Sequence, residues 1–554
     1  MSASDKKKLR REQAAAVLSE KQQQEQAEAK KLRMYTIGFI SAMVLIVFVA
    51  LSVLGVRAVN QSGVFQKNTI AATVGNQELN SVELGYYYND AINEFYNEWY
   101  QQYSTYADTY LKMMGLDTSK PLNTQVYDKE SGKTWAEHFV ETAIENAKSD
   151  IALYDLAVKE NFALPEEEQK SLDNMLTNLE TYAKLYGYSN TKQYLSAVYG
   201  FGSDAESYKA YSTRSAIATA YFNAHHDDLT YDDAAIREYE KDKASKFNSY
   251  SYTYSYLSYT DFREGGTKDD KGNVTYSDAE NEAARAALKA AADVLVTATS
   301  VDDLKEKVKN VKVNEKSALA VNAETNILHS AVSSAALSDW LAADERKEGD
   351  IAAIANTSTT KNEDGTETTV TNGYYVTIFH SKIDNSDKMS NVRHLLVKFK
   401  GGTENEETGE VVYSDEEKNT AKTKADGYLK QWKEGKATED SFIELVKKHS
   451  DDSSAKEGGL FENINPDSQY VANFLNWSIS NDRKAGDAEV IETEYGYHVM
   501  YYVGDTELSY RDYMITNEMR TADQEKWYEG ILETVKTTVG DTSKMDLDKV
   551  LSLG

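Results

Sequence analysis

Asn391–Phe399 (NVRHLLVKF) and Glu494–Tyr502 (EYGYHVMYY) decide the fold, because each predicts a strand that carries one histidine. Between them the sequence predicts two helices, an acidic polar turn at Ser450–Ser454 (SDDSS) and an aromatic helix around Phe474 and Trp477. Two histidines on separate strands, with a carboxylate turn and an apolar helix between them, predict a compact binding site. The rest of the chain is interpreted as apparatus that anchors this site and supplies it with substrate.

Length and composition limit the classes of protein that this chain can be. It has 554 residues, which predicts several domains rather than one core. Its formal net charge of −29 argues against a nucleic-acid partner, because phosphates need compensating cations. There is no cysteine, which excludes disulfides, thiolate metal sites and cysteine nucleophiles.

The N-terminal residues predict a membrane anchor. Residues 1–33 hold nine Lys/Arg against five Asp/Glu, and the next 23 residues, Met34–Val56, carry no charge. A helix of that length would span about 34 Å, enough for a hydrocarbon core of roughly 30 Å. The basic flank then places the N-terminus in the cytoplasm and the acidic body outside, as a single-pass protein of the cell membrane. A cleaved signal peptide is the alternative, since Val56–Ala58 loosely fits a cleavage site.

Residues 69–245 predict a helical domain. Thr69–Leu79 is typical of a strand, a tight turn and a return strand, and Asn80 with Glu83 matches a capping box that opens an amphipathic helix. The following helices are rich in tyrosine, with eight tyrosines between Tyr86 and Tyr110. These side chains would either hold unfolded polypeptides, since tyrosine combines an apolar face with a polar tip, or pack the core of the domain.

The sequence contains an internal repeat, in which the segment from about Asn248 to Ser381 resembles the stretch that carries the two histidines. Val274–Asp278 parallels Val411–Asp415, and Trp340 parallels Trp477, all at an offset of 137 residues. Near the end of each copy Gly373–Val376 parallels Gly496–Val499, but Tyr375 stands where the second copy has His498, and the strand that opens the first copy has no histidine. The first copy is therefore predicted to keep the fold without the site.

Four motifs of the second copy resemble those of parvulin-type peptidyl-prolyl isomerases, the rotamase family. In chain order they are His394–Lys398, His449–Lys456, Gly458–Gly459 and Gly496–Val499. The resemblance implies a small antiparallel sheet wrapped by helices, and an activity that interconverts the cis and trans forms of X-Pro bonds. The helical domain resembles, through Thr73–Asn76, the N-terminal domain of PrsA-type and SurA-type chaperones.

The parvulin resemblance also implies roles for individual residues. His394, Asp452 and His498 match the catalytic set, and Leu460, Tyr470 and Phe474 match the apolar walls that seat the proline ring, although the family often has Met at the position of Tyr470. Tyr495 stands where many relatives place a Ser or Thr that extends the hydrogen-bond chain of the histidines. The loop after Lys398 is acidic and lacks the basic cluster of phosphate-directed parvulins. No metal and no cofactor are expected.

Two other clusters contain the residue types of a metal site or a hydrolase triad, but not in a spacing that could form one. His225-His226-Asp227-Asp228 could suggest a metal, but adjacent residues point apart and no third ligand is evident. His449, Ser450 and Asp451 have the letters of a hydrolase triad, yet consecutive residues cannot form one, and no Gly-x-Ser-x-Gly elbow occurs.

The expected fold class is α+β, in six parts. These are a cytoplasmic basic tail (1–33), a transmembrane helix (34–56), a helical chaperone domain (69–245), a degenerate parvulin-like module (246–385), a parvulin-type isomerase domain (388–505) and C-terminal helices that dock back on the chaperone domain (506–554).

The favoured function is that of a membrane-anchored extracytoplasmic foldase, which isomerises X-Pro bonds in unfolded or newly secreted polypeptides and acts on them as a chaperone. PrsA-type lipoproteins are tethered through a lipidated cysteine, which this chain lacks, so the helix would have to hold it. A homodimer is compatible with the sequence, and no nucleic acid is expected. The alternative is a non-catalytic holdase or scaffold whose parvulin-like modules only bind. A surface adhesin or solute-binding protein is a third interpretation.

Overall fold

The computed structural model describes residues 63–361, 364–404, 409 and 411–550. They divide into two compact units, a helical unit (63–230 and 518–550) and a two-sheet unit (231–517). The helices are α1 (Val64–Asn68), α2 (Ser81–Tyr103), α3 (Ala107–Met113), α4 (Trp135–Lys159), α5 (Glu166–Leu185), α6 (Thr191–Tyr199), α7 (Ala205–Asp228), α8 (Asp233–Glu240), α9 (Asp278–Leu295), α10 (Val301–Lys309), α11 (Ala335–Ala342), α12 (Asp415–Glu434), α13 (Glu439–His449), α14 (Ala472–Ser478) and α15 (Tyr510–Glu533).

The strands form three sheets and two short hairpins. They are β1 (Ile70–Val74), β2 (Gln77–Asn80), β3 (Ser249–Ser258), β4 (Thr267–Lys268), β5 (Val274–Thr275), β6 (Asn322–Leu328), β7 (Ile351–Lys361), β8 (Glu367–Ile383), β9 (Lys388–Lys398), β10 (Thr403–Glu404), β11 (Val411–Val412), β12 (Leu460–Ile464), β13 (Ala488–Thr493), β14 (Gly496–Ser509) and β15 (Thr537–Val539).

Helix α2 of the helical unit begins at the cap that the sequence predicts. The side-chain oxygen of Asn80 accepts hydrogen bonds from the backbone of Val82 and Glu83, and the Glu83 carboxylate accepts from the Asn80 N–H at 2.9 Å. This reciprocal pair satisfies backbone donors that the first turn of a helix leaves free. The apolar faces of α2 and α4 then bury each other in one core, whose members include Leu84, Tyr88, Ile92, Phe139, Ala143 and Ile144.

The chain returns to the helical unit after the two-sheet unit. Trp527, Tyr528 and Ile531 on the second half of α15 pack against a cluster that contains Leu153 and Tyr221. Beyond α15, strand β15 pairs antiparallel with β1 and completes the sheet β15-β1-β2. The C-terminal residues therefore contribute both a helix and a strand to this unit.

The two-sheet unit contains the same sheet twice. The first has the strand order β6-β3-β8-β7 and the second has the order β12-β9-β14-β13, and both are antiparallel throughout. The long helix of each copy also begins alike, at capping boxes formed by Ser277 with Glu280 and by Ser414 with Glu417. The internal repeat seen in the sequence is thus a repeat of architecture.

The second sheet is covered on both faces. Helices α12 and α13 cover one face, where Leu395, Val397 and Val499 join Phe442 and Val446 in a buried cluster. Helix α14 covers the other face, where Phe474 and Trp477 pack on residues that include Val392, Ile464 and Met500. The two histidines lie on this second face, under α14.

The prediction of a membrane anchor is corrected. Within the part of the chain that the structure describes, no helix has both the length and the apolar character needed to cross a bilayer. The long helix α2, for example, carries Glu83, Asp90 and Glu94 in its first four turns, and a hydrocarbon core accepts such side chains poorly. The predicted span, residues 34–56, lies outside the described residues. The predicted single-pass localisation in the cell membrane is contradicted and is withdrawn.

Candidate active site

Strand register brings the two histidines together. In the antiparallel pair of β9 and β14, Met500 lies opposite His394 and His498 lies opposite Leu396. Opposed residues share a face, as do residues two positions apart on one strand, so both imidazoles stand on the same face of the sheet. Their ring centroids are 5.1 Å apart, and both side chains are buried.

Gly459 lets the next strand approach His394. Its carbonyl accepts a hydrogen bond from the His394 backbone N–H at 2.9 Å, and its φ is +65°. A Cβ atom at this position would lie 2.2 Å from the carbonyl oxygen of His394. A side chain would thus meet both a strained backbone and a direct clash, which explains why the motif has glycine there.

The two imidazoles belong to one chain of polar contacts. His394 Nδ1 lies 2.8 Å from His498 Nδ1, and His498 Nε2 lies 2.8 Å from Thr493 Oγ1. On the other side, His394 Nε2 lies 3.4 Å from Ser454 Oγ and 3.5 Å from Asp452 Oδ1. Asp452 Oδ1 itself accepts from the Ser454 hydroxyl at 2.6 Å and from the Ser454 backbone N–H at 2.9 Å.

The contacts select one arrangement of protons. Since a carboxylate only accepts, His394 Nε2 carries the proton that faces Asp452, and its Nδ1 accepts when the ring is neutral. His498 Nδ1–H then donates to His394 Nδ1, and His498 Nε2 accepts from the Thr493 hydroxyl. The chain Thr493–His498–His394–Asp452 is complete with both histidines neutral.

The electrostatics agree with a neutral His498 and an ionised Asp452. Burial lowers the pKa of His498 to about 3, and a charge on His394 would lower it further, while Asp452 acts in the opposite direction. Burial alone would raise the pKa of Asp452. The hydrogen bond from His394, the charge of that ring when it is protonated, and the Ser454 contacts outweigh burial and hold the pKa of Asp452 well below its usual range.

Three aromatic rings surround the histidine pair. The ring of Phe474 lies 5.4 Å from His394 and 5.6 Å from His498, both edge to face. Phe461 lies 4.9 Å from His394 and 5.7 Å from Phe474. Tyr470 completes the group, at 5.5 Å from Phe461 and 5.1 Å from Phe474. Phe474 therefore lies against both histidines, and Tyr470 packs on Phe461 and Phe474.

Leu460 does not join this group. It lies opposite Arg393, whereas Phe461 lies opposite Val392, which shares the face of His394. Neighbouring residues of a strand point to opposite faces, so Leu460 belongs to the face turned away from the histidines. The sequence interpretation missed Phe461 by one position, and counting strand alternation from the glycine pair could have found it.

Thr493 is the second residue that sequence reasoning missed. Tyr495, at the position where relatives place a hydroxyl, is 57% exposed, and the hydroxyl that reaches His498 comes from Thr493 at the end of β13. Thr493 pairs with Gly496 at the start of β14, in a tight connection between the two strands. A threonine just before such a turn is the signal that could have pointed to it.

The first sheet has aromatic residues in the corresponding positions. Tyr375 lies opposite Tyr256 as His498 lies opposite Leu396, so Tyr254 takes the place of His394. The rings of Tyr254 and Tyr375 lie 5.8 Å apart. Leu337 and Trp340 of α11 pack on this face, as Phe474 and Trp477 of α14 do in the second copy. Tyrosines thus stand in the first sheet where the second sheet has its two histidines.

The two clusters that lack the spacing of a metal site or a triad contribute instead to packing and to backbone hydrogen bonds. His225 stacks on Trp527 at 3.7 Å and contacts Gln524, so it packs within the helical unit. Ser450 Oγ accepts from the backbone N–H of Leu396, and Asp451 accepts from that of Lys398, so both residues hold the end of β9. Among the described residues, no group of three or more His, Asp or Glu is arranged to hold a metal ion.

Comparison with known proteins identifies the domain. Residues 394–504 match the Rotamase family model, the PPIC-type PPIase domain. The PPIase domain of TbPar42 is similar, with 27% identity over 21% of this chain and 98% of that chain, and a TM-score of 0.17. No curated protein sequence matches.

Two PrsA structures are also similar. PrsA from Bacillus anthracis shows 20% identity over 27% of this chain and 59% of that chain, with a TM-score of 0.17. PrsA from Bacillus subtilis shows 20% identity over 29% and 55%, with a TM-score of 0.19. The chain spans a little over half the length of these two structures. The family match shows that residues 394–504 form a PPIC-type peptidyl-prolyl isomerase domain of the Rotamase family.

Proposed function

We propose that the chain isomerises X-Pro bonds in unfolded polypeptides at the site built on β9 and β14. His394, His498 and Asp452 form the polar floor of the site, and Phe461, Tyr470 and Phe474 form an apolar slot for the proline ring. The observation that carries this proposal is the 2.8 Å contact between the two Nδ1 atoms beside three aromatic rings. Thr493 completes the polar chain behind His498.

The reaction needs little proton transfer. Rotation about a peptide bond is opposed by a barrier of about 18–20 kcal/mol, although the two isomers of an X-Pro bond differ by only about 0.5–1 kcal/mol. At the barrier the amide is twisted, so conjugation between its nitrogen and its carbonyl is lost. A site that removes this amide from water and fits the twisted form better than the planar one lowers the barrier by differential binding.

The polar chain supplies orientation in this mechanism. With His498 neutral and His394 aligned by Asp452, the rings keep one rotamer and one tautomer while substrate enters. No covalent intermediate and no cationic acid are required. The aromatic rings hold the pyrrolidine ring still, so that the acyl part of the substrate rotates against it.

We also propose that the helical unit holds the polypeptide that the site acts on. Two groups stand out among its tyrosines, and Tyr86, Tyr87 and Tyr88, which are buried in the core, form the first. The other group is an exposed aromatic and methionine patch, formed by Tyr100, Tyr106, Tyr110, Met113 and Met114, which are 42%, 66%, 43%, 79% and 52% exposed.

This patch has the chemistry of a surface for unfolded chains. Tyr103 contacts the patch, with ring centroids 4.4 Å from Tyr110 and 5.0 Å from Trp99, so the exposed ring of Tyr110 packs on a further aromatic side chain. Rigid tyrosines bring apolar area at low entropic cost, and methionines adapt to different partners. On this proposal, the core interpretation of the tyrosines applies to the buried group and the holding interpretation applies to the patch.

The isomerase proposal is tested with the full chain and a short X-Pro peptide, by exchange NMR between the cis and trans forms. The folded chain is expected to raise the exchange rate well above that of buffer, and His394→Ala is expected to remove most of the increase. A folded wild-type chain with the buffer rate would leave only the non-catalytic holdase.

The holding proposal is tested by the aggregation of a denatured client protein, followed by light scattering. The double change Tyr106→Ser and Met113→Ser is expected to weaken suppression of aggregation without changing the isomerase rate. Leu185→Ser is the control. Leu185 is 68% exposed, about as much as Tyr106, but it stands at the end of α5, outside the patch. Equal suppression by the double variant and the wild type would refute a role for the patch.

A further inference from the structure

Asp467 is a buried carboxylate that the isomerase site does not use. It lies in the loop between β12 and α14, residues 465–471, and is fully buried. The turn itself is held by its neighbours, since Asn465 Oδ1 accepts from the Asp467 N–H and Ser468 Oγ accepts from the Asn465 N–H, both at 3.0 Å. The hydrogen bonds that shape this turn therefore do not use the Asp467 side chain.

That side chain makes a single contact with a hydroxyl. Asp467 Oδ2 accepts from the Tyr510 hydroxyl at 2.6 Å, while Oδ1 is buried without a hydrogen-bond partner. Burial raises the pKa of Asp467 to about 7, although the Tyr510 bond acts in the opposite direction. An asparagine or an apolar residue would avoid the cost of burying this group, so stability of the turn does not explain the aspartate.

Tyr510 is fixed from outside the catalytic sheet. Its backbone N–H donates to the carbonyl of Asp387, in the segment that links the two sheets. Its ring packs against Met389 and Tyr513, and Leu328 at the end of the first sheet contacts the same cluster. The start of α15 is therefore held by the first module and by the linker.

The neighbouring Arg511 strengthens this attachment. Its guanidinium donates to Asn248 Oδ1 at 2.9 Å, to the carbonyl of Asp384 at 2.7 Å and to that of Ala244 at 2.6 Å, and it pairs with Glu240. These partners lie at or before the first sheet and in the linker. The Tyr510 hydroxyl thus offers the loop a fixed point of support.

The other end of the loop forms the slot. Tyr470 follows Asp467 by three residues and contacts both Phe461 and Phe474, and Phe474 lies on α14, which begins at Ala472. We propose that Asp467 is a positioning residue, and that its bond to Tyr510 holds the loop 465–471 so that Tyr470 and Phe474 keep the width of the proline slot. The first module then supports catalysis although it has no histidine pair. This inference rests on the proposed site.

The test compares variants of the full chain by KM and kcat for an X-Pro peptide. Tyr510→Phe and Asp467→Ala remove the bond, and each is expected to raise KM roughly tenfold while kcat changes less than about twofold. Asp467→Asn keeps an oxygen that accepts from Tyr510 and is expected to stay within about twofold of the wild-type KM.

Tyr502→Phe is the matched control. The Tyr502 hydroxyl also bonds to a carboxylate, Asp505, and to Ser390, but neither partner belongs to the loop 465–471. This variant is expected to lower the unfolding midpoint about as much as Tyr510→Phe and to leave KM unchanged. A wild-type KM for Tyr510→Phe, or an equal rise for both tyrosine variants, would overturn the inference.

Two further outcomes are decisive. If Tyr510→Phe does not fold, the comparison of Asp467→Ala with Asp467→Asn decides, and equal KM values for these two refute the proposal. A wild-type chain without isomerase activity would instead refute the proposed function, so the two failures are distinguishable.

Discussion

His394 and His498 meet through their Nδ1 atoms at 2.8 Å, although 104 residues separate them in the chain. Only one of the two nitrogens can carry the proton in this contact, so the tautomer of one ring sets that of the other. Asp452 sets the position of the proton on His394 at one end of the chain, and the Thr493 hydroxyl donates to His498 Nε2 at the other end. The two histidines therefore behave as one unit. A substitution at either end of the hydrogen-bond chain is expected to alter both rings and so the binding or turnover of the substrate.

Thr493→Val is expected to lower kcat/KM for an X-Pro peptide about tenfold, because it leaves His498 Nε2 buried without a donor. Thr493→Ser keeps the hydroxyl and should stay close to the wild type. Nitrogen-15 NMR of the two histidines checks the cause, since the valine variant should change their tautomers and the serine variant should not. Full activity of the valine variant would show that the polar chain ends at His498.

The low pKa of His498 predicts a loss of stability in acid. Its folded pKa of about 3 lies below the ordinary value of 6.5, so the unfolded chain binds this proton more readily than the folded chain. The stability from this group is complete above pH 6.5 and declines as the pH falls from 6.5 towards 3. Denaturant unfolding at several pH values should show this slope in the wild type.

His498→Gln should flatten that slope, because glutamine does not titrate. His226→Gln, on α7 in the helical unit, is the control and should leave the slope unchanged. Unfolding of the second module, residues 388–505, is monitored separately from the rest of the chain, for example through the NMR resonances of Trp432 and Trp477. The same slope in His498→Gln and in the wild type would contradict a neutral, buried His498.

Much of this site follows from the sequence alone. The motifs place His394 and His498 in one sheet, Asp452 in a turn beside it and Phe474 in a covering helix. They can do so because each motif contains residues that a particular local backbone conformation requires. The glycine pair is one example, since Gly459 has both a positive φ and a carbonyl in close contact.

The remainder depends on register and distance. Leu460 and Phe461 differ by one position, and a shift of one residue in a strand exchanges the two faces, so letters alone do not separate them. Thr493 reaches His498 only through the pairing of β13 with β14. The link from Asp467 to Tyr510 joins parts of the chain 43 residues apart, and no periodic pattern announces it.

Gly459→Ala is expected to destabilise the second module by about 2–3 kcal/mol, since it combines a strained φ with a clash against the His394 carbonyl. Gly427→Ala is the control, because Gly427 lies within α12 with open space around its Cα, and alanine there should be neutral or stabilising by about 0.5–1 kcal/mol. Denaturant unfolding compares the two. A stable Gly459→Ala variant would mean that β12 can move away from His394.

Phe461 and Leu460 offer a test of the slot within one strand. Phe461→Ala should raise KM for an X-Pro peptide at least about tenfold, because it removes a ring that contacts His394 and both other aromatic residues of the slot. Leu460→Ala removes an apolar side chain from the opposite face, so it should affect the unfolding midpoint and leave KM within about twofold. Both variants are measured as the full chain, with circular dichroism as a check on folding. If Leu460→Ala raised KM and Phe461→Ala did not, the proline ring would have to bind on the other side of this strand, and the assignment of the slot to the face under α14 would be wrong.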